Sequence, residues 1–359
     1  MTTSGPRVLQ LLGPSTGGIR RHVRYLTDHL RDTGWRVTVA APAGVLDQVD
    51  HVVPIPVRDR PLGTFQARRA LSEMLGDHDL VHAHGLKPGL LTASVGARPP
   101  MVLSVHNLVL DEVAGRIAPV LRRLEGWLPA RAAATIAISD GVAARFAGVS
   151  GADRIRIIPP AGPPPVPTRS PEAVRRELGI GADDDFVVTP ARLTPQKDIP
   201  LLLRAAERVA GSRPRLRWFV FGDGWLRDEL VHDVERLGLQ SIVQILPGRP
   251  DVDSELAAAD AVVVTSRWES GPLVLLEAAE LGRPMVSTDV GLARTVLGSR
   301  SRRVVPVGDA DALAAALVET LTAGPNSHAG PPTAAAELRP PALAEDVARV
   351  YREVLDRAI

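Results

Sequence analysis

Residues 260–289 read DAVVVTSRWESGPLVLLEAAELGRPMVSTD, and this stretch decides the fold. Ala261-Val262-Val263-Val264 is an apolar, β-branched run without alternation, as expected of a strand buried on both faces of a parallel sheet. A loop over 265–270 follows. Gly271-Pro272 then opens a helix, with the proline in the first turn, where a missing N–H is harmless. A second strand over 284–288 closes a βαβ unit. Glu277 sits in a helix that is apolar nearly all round, and a carboxylate there is costly unless something hydrogen-bonds it; a ligand hydroxyl would do so. Glu269 lies in the loop at the carboxyl end of the first strand, where open α/β sheets bind ligands. The N–H groups of Leu273 and Val274 at the helix start face the same crevice and suit a phosphate. By residue type alone, the stretch also fits an ordinary core βαβ unit with two surface glutamates.

Working outward, a chain of 359 residues has room for two domains of ordinary size. With 45% hydrophobic residues and a mean hydropathy of +0.05 it reads as globular. A net charge of +1 supplies no electrostatic reason to expect nucleic acid. The chain has no cysteine, which excludes disulfides and thiolate metal sites. No run reaches the roughly 18 apolar residues of a membrane helix, and the N-terminus enters a strand too soon for a secretory signal. A cytoplasmic protein is expected.

In chain order, a strand over 7–12 runs into Gly13-Pro14-Ser15-Thr16-Gly17-Gly18 and a helix to about Leu30, a unit that lets backbone N–H groups approach an anion. The loop is neither a Walker loop, since Ile19-Arg20 follows Gly18, nor a dinucleotide fingerprint, since the glycine spacing is wrong. His22 and His29 on that helix read as surface or packing residues. Strand and helix patterns then alternate, the signature of a doubly wound parallel sheet. His82 and His84 end one strand and His106 another, and strand ends line the crevice.

No zinc site follows from the spacing of His82 and His84, and Asp183-Asp184-Asp185 reads as a solvated turn, so no metal is expected. Ile117, Val120, Leu121, Leu124 and Leu128 share a helix face bordered by arginines. Packing on the sheet is the favoured reading of that face, with a peripheral contact at the inner face of a membrane as the alternative. The proline-rich run 159–167 marks a domain boundary. Beyond it, Ala191-Arg192-Leu193-Thr194-Pro195-Gln196-Lys197-Asp198 and Gly222-Asp223-Gly224 each follow a strand. Lys197 is one of two lysines in a chain that otherwise uses arginine. Residues 324–341, rich in Gly, Pro and Ala, read as a mobile linker before a final helix striped by Leu343, Val347, Val350, Val354 and Leu355.

Taken together, the Gly17-Gly18 pair, His106, Arg192 with Lys197, Gly222-Asp223-Gly224 and the Glu269/Glu277 pair resemble, in order and over nearly the whole chain, the retaining GT-B glycosyltransferases of the group 1, family 4-like class. The resemblance implies two Rossmann-like doubly wound α/β domains with a cleft between them. They would comprise an N-terminal acceptor domain (1–165), a C-terminal nucleotide-sugar domain (166–340) and a last helix (342–359) that returns to the first domain. It implies transfer of a sugar from a UDP- or GDP-linked donor to an acceptor hydroxyl of a glycan, glycolipid or small metabolite, with no cofactor beyond that co-substrate.

By the same resemblance His106, Arg192, Lys197 and Glu269 are catalytic. Gly17, Gly18, Gly222, Gly224, Gly271, Leu273, Val274 and Glu277 hold the donor, and His84 lies on the acceptor side. The chain departs from the family pattern at Ser270-Gly271-Pro272, where a Gly-Phe-Gly-like run is usual, and at Ala191 and Asp198, where glycines are usual. A nucleotide-sugar 2-epimerase of the same architecture and a non-catalytic carbohydrate-binding protein are the alternatives.

Overall fold

The computed structural model describes residues 5–15, 17–46, 49–55, 61–96, 99–109, 114–249, 252–298, 303–324 and 337–358. The chain forms two compact units, Met1–Pro163 with Pro340–Ile359, and Pro164–Arg339. Each is built on a parallel sheet, because every strand is joined to the next by a helix or a long crossover rather than a hairpin.

Among the described residues the first unit has seven strands, β1 (Arg7–Leu12), β2 (Arg36–Ala41), β3 (His51–Val52), β4 (Leu80–His84), β5 (Met101–Val105), β6 (Ala134–Ala137) and β7 (Ile155–Ile157). They lie in the order β3-β2-β1-β4-β5-β6-β7, all pairs parallel. The order reverses between β1 and β4, so the ligand crevice of this sheet opens at their carboxyl ends. The final helix, Pro340–Asp356, belongs to this unit and buries Leu343, Val347, Val350, Tyr351 and Val354. The tyrosine ring meets Trp35 edge-on, with centroids 5.6 Å apart. The linker expected over 324–341 falls outside the described residues at 325–336. Its last two prolines instead open that helix, as proline's fixed φ favours at a helix start.

The second unit has six strands among its described residues, β8 (Asp185–Pro190), β9 (Leu216–Phe221), β10 (Val243–Leu246), β11 (Ala261–Val264), β12 (Met285–Thr288) and β13 (Val304–Val305), in the order β10-β9-β8-β11-β12-β13. Here the reversal falls between β8 and β11. Helices cover both faces, so Val262 and Val263 are fully buried and Val264 nearly so. Burial contributes about 1.5–3 kcal/mol for each such side chain.

Two local expectations are corrected. Pro272 is the residue before the helix Leu273–Glu280, not part of its first turn. Its extended backbone, φ −70° and ψ 111°, lets its carbonyl accept from Leu275 N at 3.1 Å. The arginine-rich helix, Ala118–Trp127, does not pack by the expected stripe, since Ile117 is 57% and Val120 62% exposed. A 3-10 turn over Gly115–Ile117 precedes it, and the buried stripe is rotated to Ala118, Glu125 and Leu128. Glu125 tolerates burial because its carboxylate accepts from Val109 N at 2.9 Å and lies 3.8 Å from Arg145. Desolvation still pushes its pKa up.

Candidate active site

Each unit brings a set of the expected residues to its own switch point. In the second unit, the loop after β8 carries Arg192 and Lys197 and the loop after β11 carries Glu269. The two loops are laced together by hydrogen bonds to backbone carbonyls, from Arg267 N to Gln196 O at 2.8 Å, Thr265 Oγ1 to Lys197 O at 2.7 Å and Gln196 Nε2 to Trp268 O at 3.1 Å. Lys197 Nζ forms an ion pair with Glu269 Oε1, and that oxygen also accepts from Ser266 Oγ at 2.8 Å. Both charged side chains are largely buried, 18% and 10% exposed. Arg192 is exposed and donates to Gln196 Oε1 at 3.1 Å.

Asp198 takes the place of the family's glycine at φ 44°, the single left-handed non-glycine residue described. Two contacts stabilise it there. Its carboxylate caps the helix Ile199–Ala210 through Leu201 N at 3.3 Å and pairs with Arg267 at 3.0 Å. Short Asp side chains that bond locally are among the few that visit this region.

Gly222 and Gly224 owe their identity to backbone packing. A Cβ at Gly222 would lie 1.7 Å from the carbonyl oxygen of Ala191, and one at Gly224 2.2 Å from that of Leu193. The close approach is held by Ala191 N to Phe221 O at 3.0 Å and Leu193 N to Asp223 O at 2.9 Å. The glycines therefore set the path of the strand that delivers Arg192. Gly222→Ala is expected to destabilise the protein by about 1–3 kcal/mol through overpacking; a urea midpoint equal to wild type would show that the loops can part freely.

Gly271 is half-buried before the helix Leu273–Glu280. Leu273 and Val274 occupy the helix's first two positions, whose N–H groups have no intrahelical acceptor. Glu277 lies one turn on, buried at 6% exposure.

In the first unit Gly17, at φ 67°, is the residue before the helix Gly18–Asp32, and both glycines are exposed. The helix presents buried His22 to the strand ends. Successive alternate residues share one face of a sheet, which aligns Gln10 of β1, His82 and His84 of β4, and Ser104 with His106 at the end of β5; the register pairs Gln10 with His82 and His84 with Ser104. His84 and His106 are 4% and 3% exposed.

A continuous hydrogen-bonded chain results. His106 Nε2 lies 3.0 Å from His84 Nδ1, His84 Nε2 2.6 Å from Gln10 Oε1, and Gln10 Nε2 2.9 Å from Tyr351 Oη. From there Tyr351 Oη is 2.5 Å from His82 Nδ1, and His82 Nε2 is 2.7 Å from Ser104 Oγ. His22 stands beside it, its Nδ1 donating to Ala161 O at 2.9 Å. Burial lowers the pKa of His22 to about 4 and holds His82, His84 and His106 well below the usual imidazole value, with mutual repulsion adding to it.

His22, His84 and His106 each place a ring nitrogen within 4.8 Å of the other two, the one group among the described residues arranged so that it could hold a metal ion. Their spacing in sequence does not show this, because three separate elements supply them. Sequence reading likewise passes over Gln10, Ser266 and Tyr351. Only Tyr351 carried a signal, as one of two tyrosines in the chain. Asp183, 81% exposed, pairs with Arg215, and Asp184 accepts from Gly181 N, as in a solvated turn.

Residues 16–161 match Glycosyltransferase Family 4, and residues 171–329 match Glycosyl transferases group 1. The chain is 31% identical over 277 residues to the D-inositol 3-phosphate glycosyltransferase of Nocardia farcinica, a match covering 71% of this chain and 60% of that enzyme. With the enzyme of the same description from Mycobacteroides abscessus it shares 32% identity over 305 residues, covering 80% of this chain and 67% of the relative. In structure it is similar to Anabaena HepE, solved with UDP and glucose, at a TM-score of 0.80 and 22% identity, covering 97% of this chain and 99% of that one. No helix among the described residues is long and apolar enough to cross a membrane. With two parallel α/β units, the GT-B fold and family matches over both of them, the chain belongs to the group 1 glycosyltransferases of family 4.

Proposed function

We propose that the protein moves a sugar from a nucleoside diphosphate donor to an acceptor hydroxyl with retention at the anomeric carbon. The observation that carries this is the Lys197–Glu269 pair at the switch point of the second unit, beside the start of the helix Leu273–Glu280. In this reading Lys197, Arg192 and the N–H groups of Leu273 and Val274 hold the diphosphate. Glu269 orients the sugar, Glu277 holds the ribose, Gly271 keeps the approach open, and Gly222 and Gly224 shape the loop that carries Arg192.

The first unit contributes Gly17 and Gly18 to the diphosphate and His106 to the sugar; His84, expected on the acceptor side, instead stands behind His106 with its two ring nitrogens bonded to His106 and Gln10. The bond from the anomeric carbon to the phosphate oxygen breaks, and a bond to the acceptor oxygen forms on the same face. The acceptor's proton passes to the departing phosphate oxygen, with no covalent enzyme intermediate. The leaving diphosphate gains charge as the bond breaks, and cations fixed in place stabilise it most at that point.

A thermal-shift comparison of UDP, GDP and ADP followed by donor hydrolysis tests the reading. A ligand at 100 times its Kd stabilises the folded state by about 2.7 kcal/mol, so one of the three is expected to raise the Tm by several degrees and its sugar donor to be slowly hydrolysed. No shift with any of them would overturn the reading. Isomerisation of a UDP-sugar without an acceptor would favour the epimerase, and binding without hydrolysis the non-catalytic protein. The relatives' names make a phosphorylated cyclitol the first acceptor to try. Activity is expected to survive EDTA; loss restored by Mg²⁺ or Mn²⁺ would contradict metal independence.

A further inference from the structure

The hydrogen-bonded chain in the first unit has a direction, and the direction reaches His106. Gln10 Nε2 can only donate, so Tyr351 Oη accepts from it and must spend its single proton on His82 Nδ1. His82 then carries its proton on Nε2, facing Ser104 Oγ. At the other end Gln10 Oε1 can only accept, so His84 carries its proton on Nε2 and its Nδ1 is bare. The 3.0 Å contact with His106 Nε2 therefore needs the proton on His106. All three rings are neutral, because burial disfavours their charged forms, so each has one proton to place. The amide of Gln10 sets the direction, and rotating it by half a turn would reverse every bond in the chain.

We propose that Gln10, its amide held by Tyr351 and acting through the ring of His84, is a positioning residue that fixes the proton of His106 on Nε2. His106 then presents Nδ1, an acceptor, to a substrate hydroxyl. No protein partner of that nitrogen is recorded among the described residues. The final helix thus reaches the candidate site through one phenol, although Tyr351 is itself fully buried. The catalytic meaning of the tautomer rests on the glycosyl-transfer reading, whereas the tautomer itself does not.

Long-range proton–nitrogen spectra of ¹⁵N-histidine-labelled protein at pH 7.5 test this directly. The wild type is expected to show His106 protonated on Nε2. Tyr351→Phe, and separately Gln10→Met, should turn that signal into a mixture of tautomers. His22, whose proton is held by Ala161 O, should keep its own pattern in both variants, as general loosening of the fold would not allow. In turnover assays Tyr351→Phe should lower kcat by roughly tenfold or more with donor Kd unchanged, as expected where the wrong tautomer is populated.

A wild-type His106 protonated on Nδ1, or a His106 signal identical in wild type and both variants, would overturn the proposal. So would zinc retained by the purified protein with His106 ligating through Nε2, since that nitrogen would then have to be bare. Absence of turnover with every donor, alongside the expected tautomer pattern, would count against the transfer reading alone.

Discussion

Lys197→Ala is expected to lower turnover by about 10²-fold or more, the effect of removing one donor to a developing anion. The ammonium is largely buried and fixed by Glu269, so on the proposed reading it is already in place when a diphosphate begins to leave and needs no reorganisation. Its loss should show in kcat, with a smaller change in the affinity for nucleoside diphosphate measured by calorimetry. Part of any fall could come from Glu269, left in a nearly buried position with Ser266 as its remaining partner. The pair Glu269→Gln and Lys197→Ala/Glu269→Gln separates the two effects. If Lys197 acts on the leaving group, the double variant stays well below Glu269→Gln, whereas equal rates would mean that the lysine serves only to hold the glutamate. Unchanged activity in Lys197→Ala would refute its role outright.

The second large effect is acid destabilisation of the first unit. In the unfolded chain its histidines titrate near the ordinary imidazole value of about 6.5. In the folded unit burial lowers His22 to about 4 and the other three well below their usual value. Above pH 6.5 both states are neutral and stability does not depend on these groups. As pH falls from there the unfolded chain takes up protons that the folded unit refuses, and stability drops until the folded pKa is reached. His22 alone costs about 3 kcal/mol by pH 4, and His82, His84 and His106 add to it in the same sense. Against a typical total of about 5–15 kcal/mol, that is a large share of the stability. Glu125 works in the opposite sense, since burial raises its pKa and the folded state gains its proton first.

Urea titrations at pH 7.5, 6.5, 5.5 and 4.5 check the sign and the window. A flat profile down to pH 5 would mean that the imidazoles are hydrated or already charged. His22→Gln should flatten the slope while keeping a donor for Ala161 O.

The second unit was the more legible of the two. Its strand Ala261–Val264 reads from three valines in a row, and Arg192, Lys197 and Glu269 announce themselves as charged residues in loops straight after strands. Strand ends are set by local periodicity, so local pattern was sufficient to place these charged residues in the loops after β8 and β11. Pattern did not show why Asp198 can replace a glycine. The answer lies in Arg267 and the N–H of Leu201, the former 69 positions away. Nor did it show that a side chain at Gly222 would meet a carbonyl of a different strand's loop.

In the first unit the histidines at strand ends were visible, but their condition was not. Whether His22 faces solvent, and whether His84 and His106 are charged, depends on partners drawn from β1, β4, β5 and a helix 341 positions away from Gln10. The sequence by itself determined two parallel α/β units and the loops that bring charged side chains to the strand ends, because strand and helix periodicity and loop composition are local properties. Only the tertiary structure decided which histidines share protons, which glycines are there for want of space, and which face of the arginine-rich helix is buried. Burial and hydrogen-bond direction belong to the set of neighbours a side chain meets, and those neighbours come from distant parts of the chain.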